Sequence, residues 1–337
     1  MQAPWRVQVF IVCSSGILSA QATIPSTTSR LSDAVRQHNQ GVLAEEQGRF
    51  GEAESAFREA LRAWEMMPNA PPQDIAGTLN DLGNLLRVEG RYLEAERLLR
   101  RAISIEEKAG ASARLDLAFS LNSLGALYCN VREPARATTL LERGLEIREQ
   151  IVGSDHALVA ASLDNLAGAF IQRRRPDKAE ALYRRSLSIL ETRSEPFLLA
   201  VTRCKLADLY FRTLRNMLQA EALYQQALAA WKRAPERDHP QIGLTLTGLA
   251  EVYLVQRRYA EAEPLLKEAL QIQEKALGPV HPQVAKVLLD YASLYRKRHR
   301  GREAAVMEKR AKNIMKAVNK GDQDLGTVDV SSLKGPR

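Results

Sequence analysis

The sequence predicts an all-α repeat protein, an α-solenoid of about seven helical hairpins, and two observations support this. The first is the apolar spacing within residues 246–270, where Leu246, Leu249, Ala250 and Tyr253 fall at offsets of an amphipathic helix. The same spacing returns after a three-residue turn, so the segment reads as two helices folded back on each other. The second is recurrence of this unit along the chain. A single hairpin cannot bury its apolar stripes, so the copies must stack.

Three small-residue positions recur in phase every 41 to 43 residues, apart from one interval of 40. The alanine marker of the second helix falls at Ala53, Ala95, Ala137, Ala179, Ala220, Ala262 and Ala304. The small marker of the first helix falls at Gly41, Gly83, Gly125, Ala167, Ala207, Ala250 and Ala292. A third small position falls at Ala60, Ala102, Gly144, Ser186, Ala227, Ala269 and Ala311. Because helices approach to about 8 Å only where the contact residues are small, these positions predict the helix–helix contacts.

These motifs resemble the tetratricopeptide repeat (TPR) family, in the 42-residue form found in kinesin light chains. The run LNDLGNLLRVEGRYLEAERLLRRAISIEEKAG at 79–110 and the run LGPVHPQVA at 277–285 carry the resemblance. The usual TPR period is about 34 residues, which is shorter than the period of this chain. HEAT and armadillo repeats have a period similar to the one in this chain, but they lack its set of small marker residues. The resemblance covers about 31–318 and implies a right-handed solenoid. It also implies a concave face, lined by the first helices, that binds a peptide or protein segment.

The repeat phase predicts the domain organisation. We expect one solenoid over 31–318, preceded by a polar linker at 23–30 and followed by a disordered basic tail at 319–337. The seven repeats fall at about 31–72, 73–114, 115–155, 156–195, 196–238, 239–281 and 282–318. Repeat five is irregular, and its turn at 213–217 is a residue longer, which predicts a local kink.

The first 22 residues have the outline of a secretory signal peptide. Arg6 precedes the largely apolar segment 7–20, and Ala20-Gln21-Ala22 fits a small-x-small cleavage site. We therefore expect an exported protein, periplasmic or secreted, that begins at Thr23 after cleavage. The alternative is an N-terminal helix that packs on the repeats.

The two ends of the solenoid are predicted from the polarity of its outer helices. The first helix is expected to begin near Ser32, and Gly48 and Gly90 are expected to follow the ends of first helices in left-handed conformation. In the last hairpin, Glu308 and Lys312 replace the apolar residues of earlier repeats. A solvated last helix is typical of a solenoid cap.

The sequence contains no catalytic motif, so we expect a non-enzymatic protein without cofactor, metal or small-molecule substrate. His156, His239 and His281 recur at the loop between hairpins, which indicates a capping or packing role. Cys129 and Cys204 lie two repeats apart, beyond the reach of a disulfide.

By analogy with the family, groove side chains lie three residues before the first-helix marker and one, four and five residues after it. Amide side chains both donate and accept, so a row of them can pair with the backbone of an extended peptide. The alternative is a solvated polar face without a specific ligand. The predicted peptide-groove residues are Asn39, Asn80, Asn84, Arg87, Asn122, Asn130, Asn165, Gln172 and Arg212.

An uneven charge distribution suggests a second binding mode. The net charge is +8, and 296–320 holds ten Lys or Arg against two Glu. These basic C-terminal helices could bind an acidic partner or an anionic membrane surface. No aromatic residue is interleaved with the charges, which disfavours nucleic acid. The oligomeric state stays open.

Overall fold

The computed structural model describes residues 25–193, 195–233 and 239–324, and the described residues form helices and short connections. The predicted all-α class is confirmed, and no strand occurs among these residues. The helices are α1 (Pro25–Glu46), α2 (Phe50–Glu65), α3 (Pro72–Val88), α4 (Tyr92–Ala109), α5 (Arg114–Asn130), α6 (Pro134–Val152), α7 (Ala157–Gln172), α8 (Pro176–Glu191), α9 (Pro196–Asp208), α10 (Met217–Trp231), α11 (Pro240–Val255), α12 (Tyr259–Leu277), α13 (Pro282–Lys297) and α14 (Gly301–Asp324).

Among the described residues, consecutive helices pair into seven hairpins, as the repeat phase predicts. Each odd-numbered helix packs most extensively on the even-numbered helix that follows it. The hairpins are grouped in two compact units, of which the first ends at Gly153 and the second begins at Ser154. Unit 1 holds repeats one to three and unit 2 holds repeats four to seven.

The small marker residues lie where the two helices of a hairpin meet. In unit 1, a Cβ atom built on Gly41 would stand 2.7 Å from the Phe57 ring, which leaves no room for a side chain. Gly83 and Gly125 meet Leu99 and Leu141 in the same way, at 2.8 and 2.7 Å. The marker alanines of the second helices are all buried. The predicted register of the helix contacts is therefore confirmed.

The turn inside every hairpin places one residue in the left-handed conformation. Gly48 and Gly90 take this position in repeats one and two, with φ of 71° and 81°, as predicted. In the later repeats φ lies between 57° and 63° at Arg132, Arg174, Arg215, Arg257 and His299. Only glycine adopts this conformation without steric cost, so the five later turns are held by the packing around them.

Repeat five accommodates its extra residue in a different place from the one predicted. The left-handed residue Arg215 keeps the usual distance from Ala220, so the turn has the normal length. The extra residue is absorbed in a π-helical turn, Leu209–Leu214, at the end of α9. A π turn holds one more residue than an α turn, so both helices keep their contact register.

Both ends of the repeat region extend further than predicted. The first helix begins at Pro25, so most of the predicted 23–30 linker is helical and the start near Ser32 is wrong. The last helix reaches Asp324, six residues beyond the predicted end at 318. The predicted signal peptide and the rest of the predicted tail lie outside the described residues.

The three loop histidines cap helices, as predicted. The backbone N–H groups of Leu158, Gln241 and Gln283 donate to the Nδ1 atoms of His156, His239 and His281, each at 3.1 Å. Each histidine stands at the N-cap of a first helix, where it satisfies one otherwise unpaired backbone donor.

The marker register predicts which alanines tolerate a larger side chain. Ala137 is fully buried, and its carbonyl oxygen lies 3.5 Å from a Cβ atom built on Gly125. Replacing Ala137 with Leu should overpack the contact of α5 with α6 and destabilise the fold by ~1–3 kcal/mol. The exposed Ala135 is the matched control, and Ala135→Leu should leave the urea midpoint unchanged. Equal midpoints for the two variants would show that the register is wrong.

Candidate functional site

The first helices of neighbouring repeats contact each other and form one face of each unit, here called the first-helix face. In unit 1 it carries several amide side chains. The Asn84 amide nitrogen donates to the Ser123 hydroxyl at 2.9 Å, and the Arg87 guanidinium donates to the Asn84 carbonyl oxygen at 3.4 Å. Asn84 and Arg87 are thus partly engaged with the protein itself.

The remaining predicted residues of unit 1 lie on α1, α3 and α5. The Asn80 amide donates to Asp81 at 3.5 Å, while its buried carbonyl oxygen has no hydrogen-bond partner among the described residues. Asn122 is half-buried, whereas Asn39 and Asn130 are exposed. These side chains are spread over the three helices.

The first-helix face of unit 2 is charged rather than amide-rich. Asp164 of α7 is buried and accepts hydrogen bonds from Thr202 and Lys205 of α9, at 2.9 and 3.1 Å. Asp208 of α9 accepts hydrogen bonds from the Tyr224 hydroxyl and the Arg212 guanidinium. Of the predicted residues on α7, Asn165 is half-buried and Gln172 is exposed.

A cavity of about 450 Å³ opens on this face of unit 2. Apolar side chains from the π turn and from α11 form part of its wall, and Val255 is more than half exposed there. Charged groups of both signs complete the wall. The lining residues are Phe211, Arg212, Arg215, Glu251, Leu254, Val255, Asp290, Ser293 and Lys297.

Two carboxylates dominate the electrostatics of the cavity. Glu251 is bound by the Arg212 guanidinium at 2.5 Å and by the Lys286 ammonium at 2.9 Å. Among the described residues, Asp290 forms no ion pair, and its buried Oδ2 atom accepts no hydrogen bond. Burial, reinforced by the charge of Glu251, raises the pKa of Asp290 to about 7.

Of the cavity residues, Arg212 was among the predicted groove residues, and Phe211 lies at the groove position four residues after the marker Ala207. Glu251, Leu254, Val255, Ser293 and Lys297 occupy the same register in repeats six and seven, one, four or five residues after the marker. Extending the groove register to those repeats would have found them. Asp290 lies two residues before its marker, a position that the register leaves out.

The arginines of the basic C-terminal helices are largely neutralised within unit 2. Arg296 pairs with Glu308 at 2.8 Å, and Arg300 pairs with Glu263 and Glu303. Arg298 pairs with Glu263, and Arg310 pairs with Glu274. The exposed lysines Lys309, Lys312 and Lys316 have no ion-pair partner among the described residues.

The described residues contain no group of three or more His, Cys, Asp or Glu side chains arranged to hold a metal ion. Among the described residues, neither Cys129 nor Cys204 forms a disulfide. Burial raises the pKa of Cys204 to about 12, and its sulfur lies 2.9 Å from the Thr245 hydroxyl. Among the helices that the structure describes, none is both long and apolar enough to span a membrane.

The tetratricopeptide repeat family profile matches residues 74–150, 116–192, 198–254 and 241–317, which together cover more than half of the chain. The chain belongs to the tetratricopeptide repeat family. The predicted resemblance is therefore confirmed, with all four matches on the hairpins described above. No curated protein sequence matches the chain.

Solved structures of similar fold confirm the TPR architecture. Nearly identical TPR-like repeats from a Podospora anserina protein described as a kinesin light chain share 24% identity and a TM-score of 0.50, over 60% of this chain and 95% of theirs. The apo form of RapI shares 13% identity and a TM-score of 0.62, over 85% and 99%. A Rap protein complexed with competence and sporulation factor shares 13% identity and a TM-score of 0.52, over 87% and 98%. At these identities the likeness shows the fold alone.

The raised pKa of Asp290 predicts a pH-dependent stability of this TPR protein. An unfolded aspartate ionises near pH 4, so the folded state binds more protons than the unfolded one between pH 4 and 7. Protonated Asp290 therefore stabilises the folded chain at pH 5. This stabilisation decreases as the pH rises towards 7 and is lost above it. Asp290→Asn should remove this loss, so its stability relative to wild type should rise by roughly 1–3 kcal/mol between pH 5 and 8.5.

Thermal melts at both pH values measure this difference. Asp155→Asn alters an exposed carboxylate of the same unit and is the matched control. Its stability relative to wild type should be the same at both pH values. A constant difference for Asp290→Asn would mean that Asp290 ionises normally in the folded protein.

Proposed function

We propose that this TPR protein is a non-enzymatic interaction scaffold that binds a peptide or protein segment along its first-helix face. The cavity of unit 2 carries this proposal, because it combines an exposed apolar wall at Val255 with donors and acceptors. Ligand sites of proteins commonly pair an apolar lining with a few polar groups that fix orientation. The TPR fold is typical of protein–protein interaction scaffolds, and the similar Rap structure is complexed with competence and sporulation factor.

The chemistry of the cavity suits a peptide in extended conformation. A backbone offers one N–H donor and one C=O acceptor per residue, and both kinds need partners when they leave water. Asp290 supplies an unused buried acceptor, while Arg215 and Lys297 supply donors on the same wall. Leu254 and Val255 would contact an aliphatic side chain of the bound segment.

The second candidate function is binding of an acidic partner or anionic surface through the basic C-terminal helices. The exposed lysines Lys309, Lys312 and Lys316 on α14 favour it. The ion pairs of Arg296, Arg298, Arg300 and Arg310 count against it, because each neutralises a cation of the predicted patch.

Peptides selected from a random library on the purified chain distinguish the two functions. If the first-helix face binds, Val255→Asp should weaken binding of a selected peptide at least several-fold, because a charge replaces an apolar contact. A peptide bound along unit 1 should lose affinity several-fold when Asn84→Ala and Asn122→Ala are combined, since each lost hydrogen bond is worth ~0.5–1.5 kcal/mol. These losses should depend little on salt.

The matched variant reverses Lys309, Arg310 and Lys312 to Glu. If the peptide binds to the first-helix face, this variant should bind it within about twofold of the wild-type affinity at low salt. The same should hold at physiological salt, where the electrostatic screening length is ~8 Å. If this variant abolishes binding and the Val255 and asparagine variants are silent, the scaffold binds through its charged end and the groove proposal fails.

We also propose that the protein is exported, on the evidence of residues 1–22. Expressed in a Gram-negative host with these residues present, the chain should be recovered from the periplasm starting at Thr23. N-terminal mass spectrometry of the fractions measures this. An intact Met1 on cytoplasmic protein would contradict both export and the cleavage site.

A further inference from the structure

The hairpin turns of unit 2 lie side by side along one edge of the unit, here called the turn edge. The first helices that precede these turns contact one another from repeat to repeat. Side chains also join successive turns, because Arg258 donates to Glu221 of the preceding repeat at 2.7 Å and Arg300 donates to Glu263 at 3.1 Å. The turn edge consists of residues 172–178, 213–219, 255–261 and 297–303.

Three turns of this edge carry an exposed arginine at the left-handed position. These residues are Arg174, Arg215 and Arg257, with φ of 57°, 57° and 63°. None of them forms an ion pair with another residue that the structure describes. Glycine adopts this conformation without steric cost, as Gly48 and Gly90 do in unit 1. Arginine at three successive turns therefore costs backbone stability, and such strain is typical of functional positions.

The carboxylates of the turn edge do not neutralise these three arginines. Its four segments contain three acidic residues, and each of them binds a neighbouring arginine instead. The left-handed arginines therefore keep their positive charge uncompensated on the surface. The ion pairs are Asp177 with Arg175, Glu261 with Arg258 and Glu303 with Arg300.

An exposed apolar side chain stands next to these charges. Leu218 is 79% exposed, the highest value for a large apolar side chain among the described residues. It lies in the first turn of α10, three residues after Arg215. Packing between repeats does not require a large apolar residue here, because the other repeats of unit 2 lack one. The equivalent residues are Asp177, Ala260 and Arg302.

We propose that the turn edge of unit 2 binds the surface of a membrane that contains anionic phospholipids. Its three left-handed arginines would bind headgroup phosphates, and Leu218 would enter the interfacial region. A guanidinium matches the geometry of phosphate oxygens and binds them through two parallel hydrogen bonds. Peripheral membrane contacts commonly combine such cations with an apolar side chain that enters the boundary between headgroups and acyl chains.

The position of these residues favours an extended surface over a ligand that fills a pocket. Arg174, Arg257 and Leu218 do not line the cavity of unit 2. An acidic polypeptide would use the arginines, but it would leave the exposed Leu218 unexplained. The proposal does not rest on peptide binding at the first-helix face. The three arginines and Leu218 also lie outside the basic C-terminal helices at 296–320.

Vesicle flotation tests the proposal on the full chain as purified from the expression host. One set of vesicles contains phosphatidylcholine alone, and the other contains equal parts of phosphatidylcholine and phosphatidylglycerol. We expect binding to the anionic vesicles only. Arg174→Gly with Arg257→Gly should weaken this binding roughly 25-fold, since each basic residue near an anionic surface contributes about fivefold.

This double variant separates membrane binding from stability and from peptide binding. Glycine suits the left-handed φ of both positions, so the thermal midpoint should equal or exceed that of wild type. Neither residue lines the cavity, so the affinity for a peptide selected on the first-helix face should not change. A loss of vesicle binding therefore reflects the loss of charge at the turn edge.

Two matched variants on α14 serve as controls. Lys312→Gln with Lys316→Gln removes the same charge and should leave vesicle binding within about twofold at physiological salt, because charges beyond ~8 Å are screened. Leu218→Ser should weaken vesicle binding several-fold at every salt concentration, because an apolar contact is lost. Val306→Ser alters a side chain that is 63% exposed on α14 and should have no effect.

Three results would overturn the proposal. The first is equal binding to both kinds of vesicle, or full binding by the double arginine variant. The second is loss of binding in the lysine variant alone, which would assign the contact to the C-terminal helices. The third is binding to polyglutamate that requires the arginines, without binding to anionic vesicles, which would make the partner an acidic polypeptide.

Discussion

The close approach of the two helices in each hairpin is the contact on which the rest of the structure depends. At Gly41, Gly83 and Gly125 the partner side chain occupies the space that a Cβ atom would need, and the gap cannot be widened without losing buried contacts. This contact fixes which face of each helix points inward. It therefore also fixes which face of the first helices remains available for a partner.

The π turn of repeat five shows how strictly this contact is kept. The chain has one extra residue there, yet the marker Ala207, the left-handed Arg215 and the marker Ala220 all take their usual places. The last turn of the first helix widens instead. That widened turn contributes Phe211 and Arg212 to the cavity wall, so the irregularity that preserves packing also shapes the candidate site.

Sequence reasoning predicted what depends on spacing within one hairpin. The helices, the marker contacts and the three histidine caps follow from local periodicity and from residues a few positions apart. It could not predict partners about 40 residues apart, because these depend on how one repeat sits on the next. Asn84, predicted as a peptide-groove residue, donates to Ser123 of the next repeat. Asp290, which the groove register leaves out, derives its raised pKa from burial and from Glu251 in the preceding repeat.

A row of polar contacts also joins neighbouring repeats, and its energetic role differs from that of the marker contacts. Glu54 accepts from Arg91 at 2.8 Å, Glu96 from Tyr128 at 2.7 Å and Glu221 from Arg258 at 2.7 Å, each across one repeat boundary. Ion pairs near the surface contribute about 0–1 kcal/mol, far less than the buried packing. These contacts therefore add little to the stability that the buried packing between repeats supplies. The charges on the faces and edges can accordingly vary with the partner, while the small residues beneath them cannot.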